Sequence, residues 1–299
     1  MLRRVGLAVA GGTAYAGAVF GGYMYTKYGG DGGGGGCGCG CDDAAARRAR
    51  EAALPSAAYR QATYDAIAPR YDGMLGWDET VLGIGLMRRC LLACACGDVL
   101  ELAAGTGRNL EFYDRARVTS LLQTDASAPM LEVAARRARD AAARAPLATA
   151  VARADGTALT AGGGAAGGRR WDTVVDTFGL CSFDEPVEAL REMQRCCAAD
   201  GLVLLLEHGR SHNHAWLSRV LDEGAKAHAC KWGCVYNRDI DAIVAESGLR
   251  VLRRHTFHFG TTYVIVGAPA PEFTTSATRS HGSVARAAPG WRRVLGGWR

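Results

Sequence analysis

The sequence predicts an α/β domain built on a mostly parallel sheet, with helices on both faces and an antiparallel hairpin at its end. Three observations predict it. Apolar runs alternate with helical patterns through the middle of the chain, a glycine turn follows the first run, and the last two runs join each other without a helix between them. Strands are expected near residues 98–102, 118–124, 148–153, 172–178 and 201–207. Parallel neighbours need crossovers, and the helices that make them cover both faces. The segment RVLRRHTFHFGTTYVIVGAP (250–269) then breaks the alternation with two strands around a turn near Gly260.

The first strand and its turn are VLELAAGTGRNL, residues 99–110. Val99, Leu100 and Leu102 suit a buried strand, Glu101 lies near its carboxyl end, and Gly105 and Gly107 let the backbone bend tightly beneath a ligand. A helix is expected from Arg108, with its N-terminal amides aimed at that ligand. Ala103 and Asn109 stand where a dinucleotide fingerprint has its first and third glycines. Glu101 would repel a pyrophosphate yet accept hydrogen bonds from an ammonium group. S-adenosylmethionine carries such a group.

ELAAGTG resembles motif I of the class I S-adenosylmethionine-dependent methyltransferases. The second strand, VTSLLQTD, ends in Asp125, about 20 residues beyond the turn, where a ribose-binding carboxylate is expected. The resemblance extends through ASAPML, in which Met130 takes the position that packs near the adenosine. After the third strand, TAVARA, Asp155 resembles the family's acceptor for the adenine amino group; Asp155–Gly156 also reads as a plain turn. The implied fold is a Rossmann-like seven-stranded sheet, covering roughly residues 60–268 as one domain. TYDAIAPRYDGML (63–75) resembles the opening of the UbiE-type ubiquinone and menaquinone C-methyltransferases, grouped as methyltransferase type 11. DTFGLCSFDEPVEALREM (176–193), LLLEHGRS (204–211), KWGCVYNRDI (231–240) and HFGTTY (258–263) resemble the fungal mitochondrial inner-membrane methyltransferase-like proteins. Membrane-bound thiol methyltransferases of animals are more distant cousins.

Residues 1–27 are expected to be an uncleaved membrane anchor. MLRR is basic, residues 5–25 are uncharged and long enough to span a hydrocarbon core of about 30 Å, and Lys27 closes the span. A cleaved signal and a mitochondrial presequence are the rival readings. Gly17 and Gly21 have the spacing that lets two helices pack, so a homodimer through the anchor is one expectation. Residues 28–55 read as a glycine-rich linker and short helix. Within it Cys37, Cys39 and Cys41 lack the spacing of a closed zinc site. The catalytic domain is expected over 56–268, followed by a basic, disordered tail over 269–299. A net charge of +5 on 299 residues is mild, and charge alone does not make this a nucleic-acid protein. Eleven cysteines form no regular framework; most read as reduced core residues, while Cys230 and Cys234 invite a thiol pair.

Methyl transfer from a sulfonium needs chiefly alignment and exclusion of water, plus a base when the acceptor carries its proton. The acceptor is expected above the carboxyl ends of strands 4 and 5, near Thr177, Phe178, Cys181, Glu207 and His208. His208 is the candidate base, with a helix-capping role as its plain alternative. His208, His212 and His214 have no carboxylate partner in HGRSHNH, and no metal is assigned. Trp232, Tyr236 and Asn237 lie in the insertion before strand 6, where the resemblance implies an acceptor lid; packing of the same aromatics against the sheet is the plain alternative. DTFGL lacks the proline-rich phrase of adenine N6-methyltransferases, and Cys181 follows Leu180 rather than the proline of the cytosine C5 enzymes. The leading expectation is a single-pass mitochondrial inner-membrane methyltransferase that uses S-adenosylmethionine on a small lipophilic acceptor such as a quinone intermediate, thiol or lipid. Methylation of mitochondrial RNA or protein, and a non-catalytic assembly factor of the same fold, are the alternatives.

Overall fold

The strands are β1 (Gly97–Leu102), β2 (Val118–Asp125), β3 (Ala148–Arg153), β4 (Trp171–Thr177), β5 (Cys197–His208), β6 (Arg250–Phe257) and β7 (Thr262–Ala268). They form one sheet in the order β3-β2-β1-β4-β5-β7-β6. The first five are parallel, and β7 runs antiparallel to both β5 and β6. The computed structural model describes residues 54–160 and 168–274. The expected strands stand within a residue or two of their sequence positions, except that β5 starts four residues early, at Cys197.

The period of two along each strand sorts the core into two layers. Val99, Val175, Leu204, Leu206 and Val264 point to one face, covered by α3 (Ile84–Leu92). Leu100, Leu102, Val174, Val203, Leu205 and Ile265 point to the other, covered by α5 (Pro186–Cys196) and α7 (Ile240–Ser247). Each fully buried leucine contributes about 1.5–3 kcal/mol relative to exposure. A third cluster caps one end of the sheet: Ile67 at the end of α1 (Ala57–Ile67), Met130 from α4 (Ala128–Ala142), Leu217 and Leu221 from α6 (Ala215–Trp232), and Cys181 and Cys234 from loops.

Local chemistry sets the ends of these helices. Ser127 accepts a hydrogen bond from the Met130 amide and Pro129 lies in the first turn, so α4 starts at the carboxyl end of β2. Asp239 caps α7 the same way through the Ala242 amide, and left-handed Gly248 stops it.

One expectation is corrected. No α-helix follows the glycine turn; the chain makes turns and a single 3-10 turn at Leu110–Phe112 before β2. Tyr113 is extended and buried, with its hydroxyl on Glu101, and Asp114 folds back to accept from the Ala116 amide, so helical propagation stops after one turn. Residues just past the expected domain end at 268 are held to the domain. Ala270 donates to Gln194 and Arg170 donates to the Phe273 carbonyl, which docks the helical turn α8 (Pro271–Thr274) on the domain.

The anchor over 1–27 with its Gly17 and Gly21, the linker with Cys37, Cys39 and Cys41, and the tail beyond 274 lie outside the described residues. Among the described residues, no helix is long and apolar enough to cross a membrane.

Candidate active site

The turn after β1 places Ala103, Gly105 and Gly107 at φ values of 44°, 55° and 75°. The two glycines take this left-handed conformation without strain, whereas Ala103 holds it against its Cβ. An added Cβ on Gly105 would meet nothing within 4 Å; on Gly107 it would stand 3.2 Å from Ala134. Gly105 therefore bares its backbone toward open space, and Gly107 lets the turn lie against α4.

Asp125, at the end of β2, receives the Gly105 amide on one carboxylate oxygen and the Ser127 amide on the other, both at 2.8 Å. Burial raises its pKa even though these amides favour the ionised form. Each oxygen keeps acceptor capacity for a ligand hydroxyl. Met130 is buried one turn further on and, with Asp125, lines a cavity of about 310 Å³ that also takes in Ala103 and Gly105.

Glu101 lies at the cavity wall, 1 % exposed, and is already engaged. Asn109 donates to it at 2.9 Å, Tyr113 at 3.0 Å and Gln123 at 3.1 Å. Burial raises its pKa, opposed by these three donors. Asn109 is held in turn by Arg88, which donates to its side-chain oxygen at 2.7 Å and to Thr177 at 2.8 Å. Arg88 and Arg108 both pair with Glu79 of α2 (Tyr71–Val81), while Thr106, Arg108 and Arg137 converge on Asp72. The N-terminal helices are thus tied to the glycine turn by charge.

Asp155 is placed differently from the rest. It is exposed, and its carboxylate accepts from both the amide and hydroxyl of Thr157, closing the turn that Asp–Gly also signals. Its neighbours Ala154 and Gly156 line the cavity.

The other end of the cavity lies over the carboxyl ends of β4 and β5. Tyr64, Tyr71, Phe178, Trp232 and Tyr236 line it, together with Cys181, His208 and Cys234. His208 Nε2 stands 3.0 Å from Cys234 Sγ, with the Phe178 ring 5.3 Å from the imidazole. Burial pushes the Cys234 thiol up; Cys181, despite burial, is held well below the usual thiol range by Cys234 and the His208 imidazole. Cys230 and Cys234, which could pair in an oxidising compartment, are both free thiols here. His212 turns to Asp239, and His214 packs against Trp216 and Phe259, so the three histidines do not converge. Of the expected lid residues, Trp232 and Tyr236 line the cavity, while Asn237 donates to Asp222.

Glu207 is buried on the opposite face of the sheet from Glu101, beside Asp176. Burial drives both pKa values well up; Asp176 raises Glu207 further, whereas hydrogen bonding to Glu207 lowers Asp176, which favours one shared proton. The Gly179 amide reaches Glu207 at 3.3 Å, and a Cβ on Gly179 would fall 2.0 Å from the Asp176 carboxylate.

Arg88, Tyr113, Gln123 and Cys234 escaped the sequence reading as site residues. Arg88 carried a signal, a charge on the apolar stripe of Ile84, Met87 and Leu91. Cys181 and Cys234 are 53 positions apart with no spacing to join them.

Residues 48–254 match a family described as a methyltransferase domain. The chain is 33 % identical over 214 residues to the mitochondrial methyltransferase OMS1 of Saccharomyces cerevisiae, covering 68 % of this chain and 45 % of that one. It is 34 % identical over 153 residues to the demethylmenaquinone methyltransferase of Renibacterium salmoninarum, covering 49 % and 57 %. The chain thus spans about half the length of these curated relatives. A solved S-adenosylmethionine-dependent methyltransferase of Leishmania major shares the fold with a TM-score of 0.51 at 14 % identity, covering 70 % of this chain and 82 % of that one.

Proposed function

Because the chain belongs to the methyltransferase domain family, we propose that it is an S-adenosylmethionine-dependent methyltransferase of the mitochondrial inner membrane acting on a small lipophilic acceptor. The observation that carries this reading is one cavity with two chemically different ends. At one end are the positive-φ glycine turn and the half-buried Asp125 carboxylate; at the other, aromatic rings surround His208. Its volume of about 310 Å³ is at the lower end of the range for small-molecule sites.

The residues fit the cofactor. Gly105 leaves open space where a side chain would stand, and Asp125 offers lone pairs to ribose hydroxyls. Glu101 faces the expected ammonium, Ala103 and Gly107 shape the turn, and Met130 packs beneath the adenosine. Asp155, committed to its own turn, contributes less than Asp125. When bound, the cofactor supplies a methyl group on a positively charged sulfur, and its carbon–sulfur bond breaks as the acceptor bond forms.

The protein's own task is alignment and exclusion of water. Tyr64, Tyr71, Phe178 and Tyr236 hold a flat apolar acceptor, and His208 takes the proton of a protic one. A relative named for a quinone intermediate supports a quinone among acceptors, beside thiols and lipids. The mitochondrial relative and the uncharged residues 5–25 support the membrane assignment; protease protection in isolated mitochondria tests it and reports the side faced.

Calorimetry on the full chain tests the cofactor site. Wild type should bind S-adenosylmethionine in the micromolar range, about −8 kcal/mol. Asp125→Ala and Gly105→Arg should both abolish binding. A folded wild type that does not bind would point to the assembly-factor reading.

A further inference from the structure

The geometry points to a zinc-class metal site in the acceptor end of the cavity, with Cys181, His208 and Cys234 as three ligands and a fourth position open to the cavity. The one ligand atom that each offers lies within 4.8 Å of the other two. All three residues line the cavity, so an ion among them also faces the space where an acceptor enters. This holds whether or not the domain transfers methyl groups, because it rests on the side-chain geometry alone.

The ligand atoms are held by the fold rather than by a local loop. His208 ends a central strand, Cys181 sits in the loop after β4, and Cys234 follows the left-handed Gly233 that stops α6. The Val235 amide donates to the Cys181 carbonyl at 2.9 Å, tying the two cysteine-bearing loops directly together. At Gly233 a Cβ would lie 2.7 Å from the Tyr64 ring, so the turn presenting Cys234 is pressed against α1.

Chemistry selects the ion. Two thiolates and an imidazole are soft ligands, which suit zinc and exclude magnesium and calcium. Two thiolates, one neutral imidazole and a divalent ion sum to zero charge, as an apolar cavity requires. Zinc at about 2.3 Å from sulfur and 2.0 Å from nitrogen separates tetrahedral ligand atoms by roughly 3.5–3.8 Å. That fits the 4.8 Å envelope and asks the 3.0 Å His208–Cys234 contact to open slightly. Three protein ligands with an open fourth position is the arrangement of catalytic rather than structural zinc. Metal entry releases the thiol protons to solvent, and a protic group entering the fourth position loses its proton to solvent on coordination. Zinc then takes over from His208 the removal of the acceptor's proton.

The test uses the full chain, stripped with chelator under reducing conditions and titrated with Co²⁺ as the probe, then with Zn²⁺ in competition. Wild type should take up one equivalent with a near-ultraviolet thiolate-to-cobalt band and the intense visible bands of tetrahedral coordination. Cys181→Ser and Cys234→Ser should each cut the thiolate band per bound cobalt to about half and weaken zinc binding more than about 100-fold, beyond what loss of a hydrogen-bond partner of a ligand costs. A Cys37→Ser/Cys39→Ser/Cys41→Ser chain should keep both, since those cysteines lie elsewhere in the sequence. Alkylation of the wild type, read by mass spectrometry, covers the case in which a serine variant does not fold. Zinc should protect Cys181 and Cys234 and leave half-exposed Cys90 reactive. No thiolate band, a band lost only with the Cys37, Cys39 and Cys41 substitutions, or alkylation of Cys181 and Cys234 unchanged by zinc would overturn the site.

Discussion

Asn109 shows how much one side chain can hold. Its amide donates to Glu101 and Thr177 and its oxygen accepts from Arg88, all within the buried wall of the cavity. Asn109→Ala leaves a buried carboxylate and a buried guanidinium each short of a partner, which costs about 1–3 kcal/mol. A urea melt should show the midpoint fall with the slope unchanged. Glu207 behaves in the opposite sense. Its pKa is raised by burial and by Asp176, so the folded state binds the proton more tightly than the unfolded one. Stability from this pair is therefore greatest below the unfolded carboxyl pKa of about 4.3 and falls as pH rises toward the folded value. Glu207→Gln, which keeps an acceptor for Gly179, should flatten the decline of thermal stability as pH rises above about 4.3. A steeper decline in the variant would reject the shared-proton arrangement.

Elements here are decided by their ends. The turn after β1 works because Gly107 takes φ 75° and leaves room for Ala134. Gly107→Ala forces a Cβ into the left-handed region at about 1–2 kcal/mol and against α4 as well, so chemical denaturation should show at least that loss. At the other edge, Asp239 caps α7 by accepting the Ala242 amide at 2.9 Å. Asp239→Ala should cost about 1 kcal/mol and speed hydrogen exchange in the first turn of α7 without changing cofactor affinity. The strands were legible because their apolar runs have a clear period, whereas the caps Ser127 and Asp239 came only with the structure. The missing helix after Gly107 was not, since whether RNLEFY propagates depends on Tyr113 reaching a carboxylate across the layer.

Across the whole molecule, the N-terminal helices close one wall of a cavity whose floor is the sheet. Asp72 and Glu79 bind α2 to Thr106, Arg108, Arg88 and Arg137. Asp72 is one-third exposed, so solvent screens its pairs and each is worth well under a kcal/mol alone. Together they align α2 over the glycine turn. Asp72→Ala should weaken S-adenosylmethionine about fivefold to tenfold, roughly 1 kcal/mol, and raise hydrogen exchange across α2 while the sheet amides stay protected. Equal affinity in the variant would make this network structural only.

By itself the sequence determined the sheet, the glycine turn, the acid at the end of β2 and the end of the sheet where the cavity lies. Each of these is written in residues close together in the chain, where period, turn geometry and residue type act locally. Only the tertiary structure decided that Glu101 is shared among Asn109, Tyr113 and Gln123, that one carboxylate oxygen of Asp155 closes its own turn, and that Cys181, His208 and Cys234 meet. Those groups come from different strands and loops. Their contact depends on how the layers pack and on the length of each crossover, and no local pattern records either.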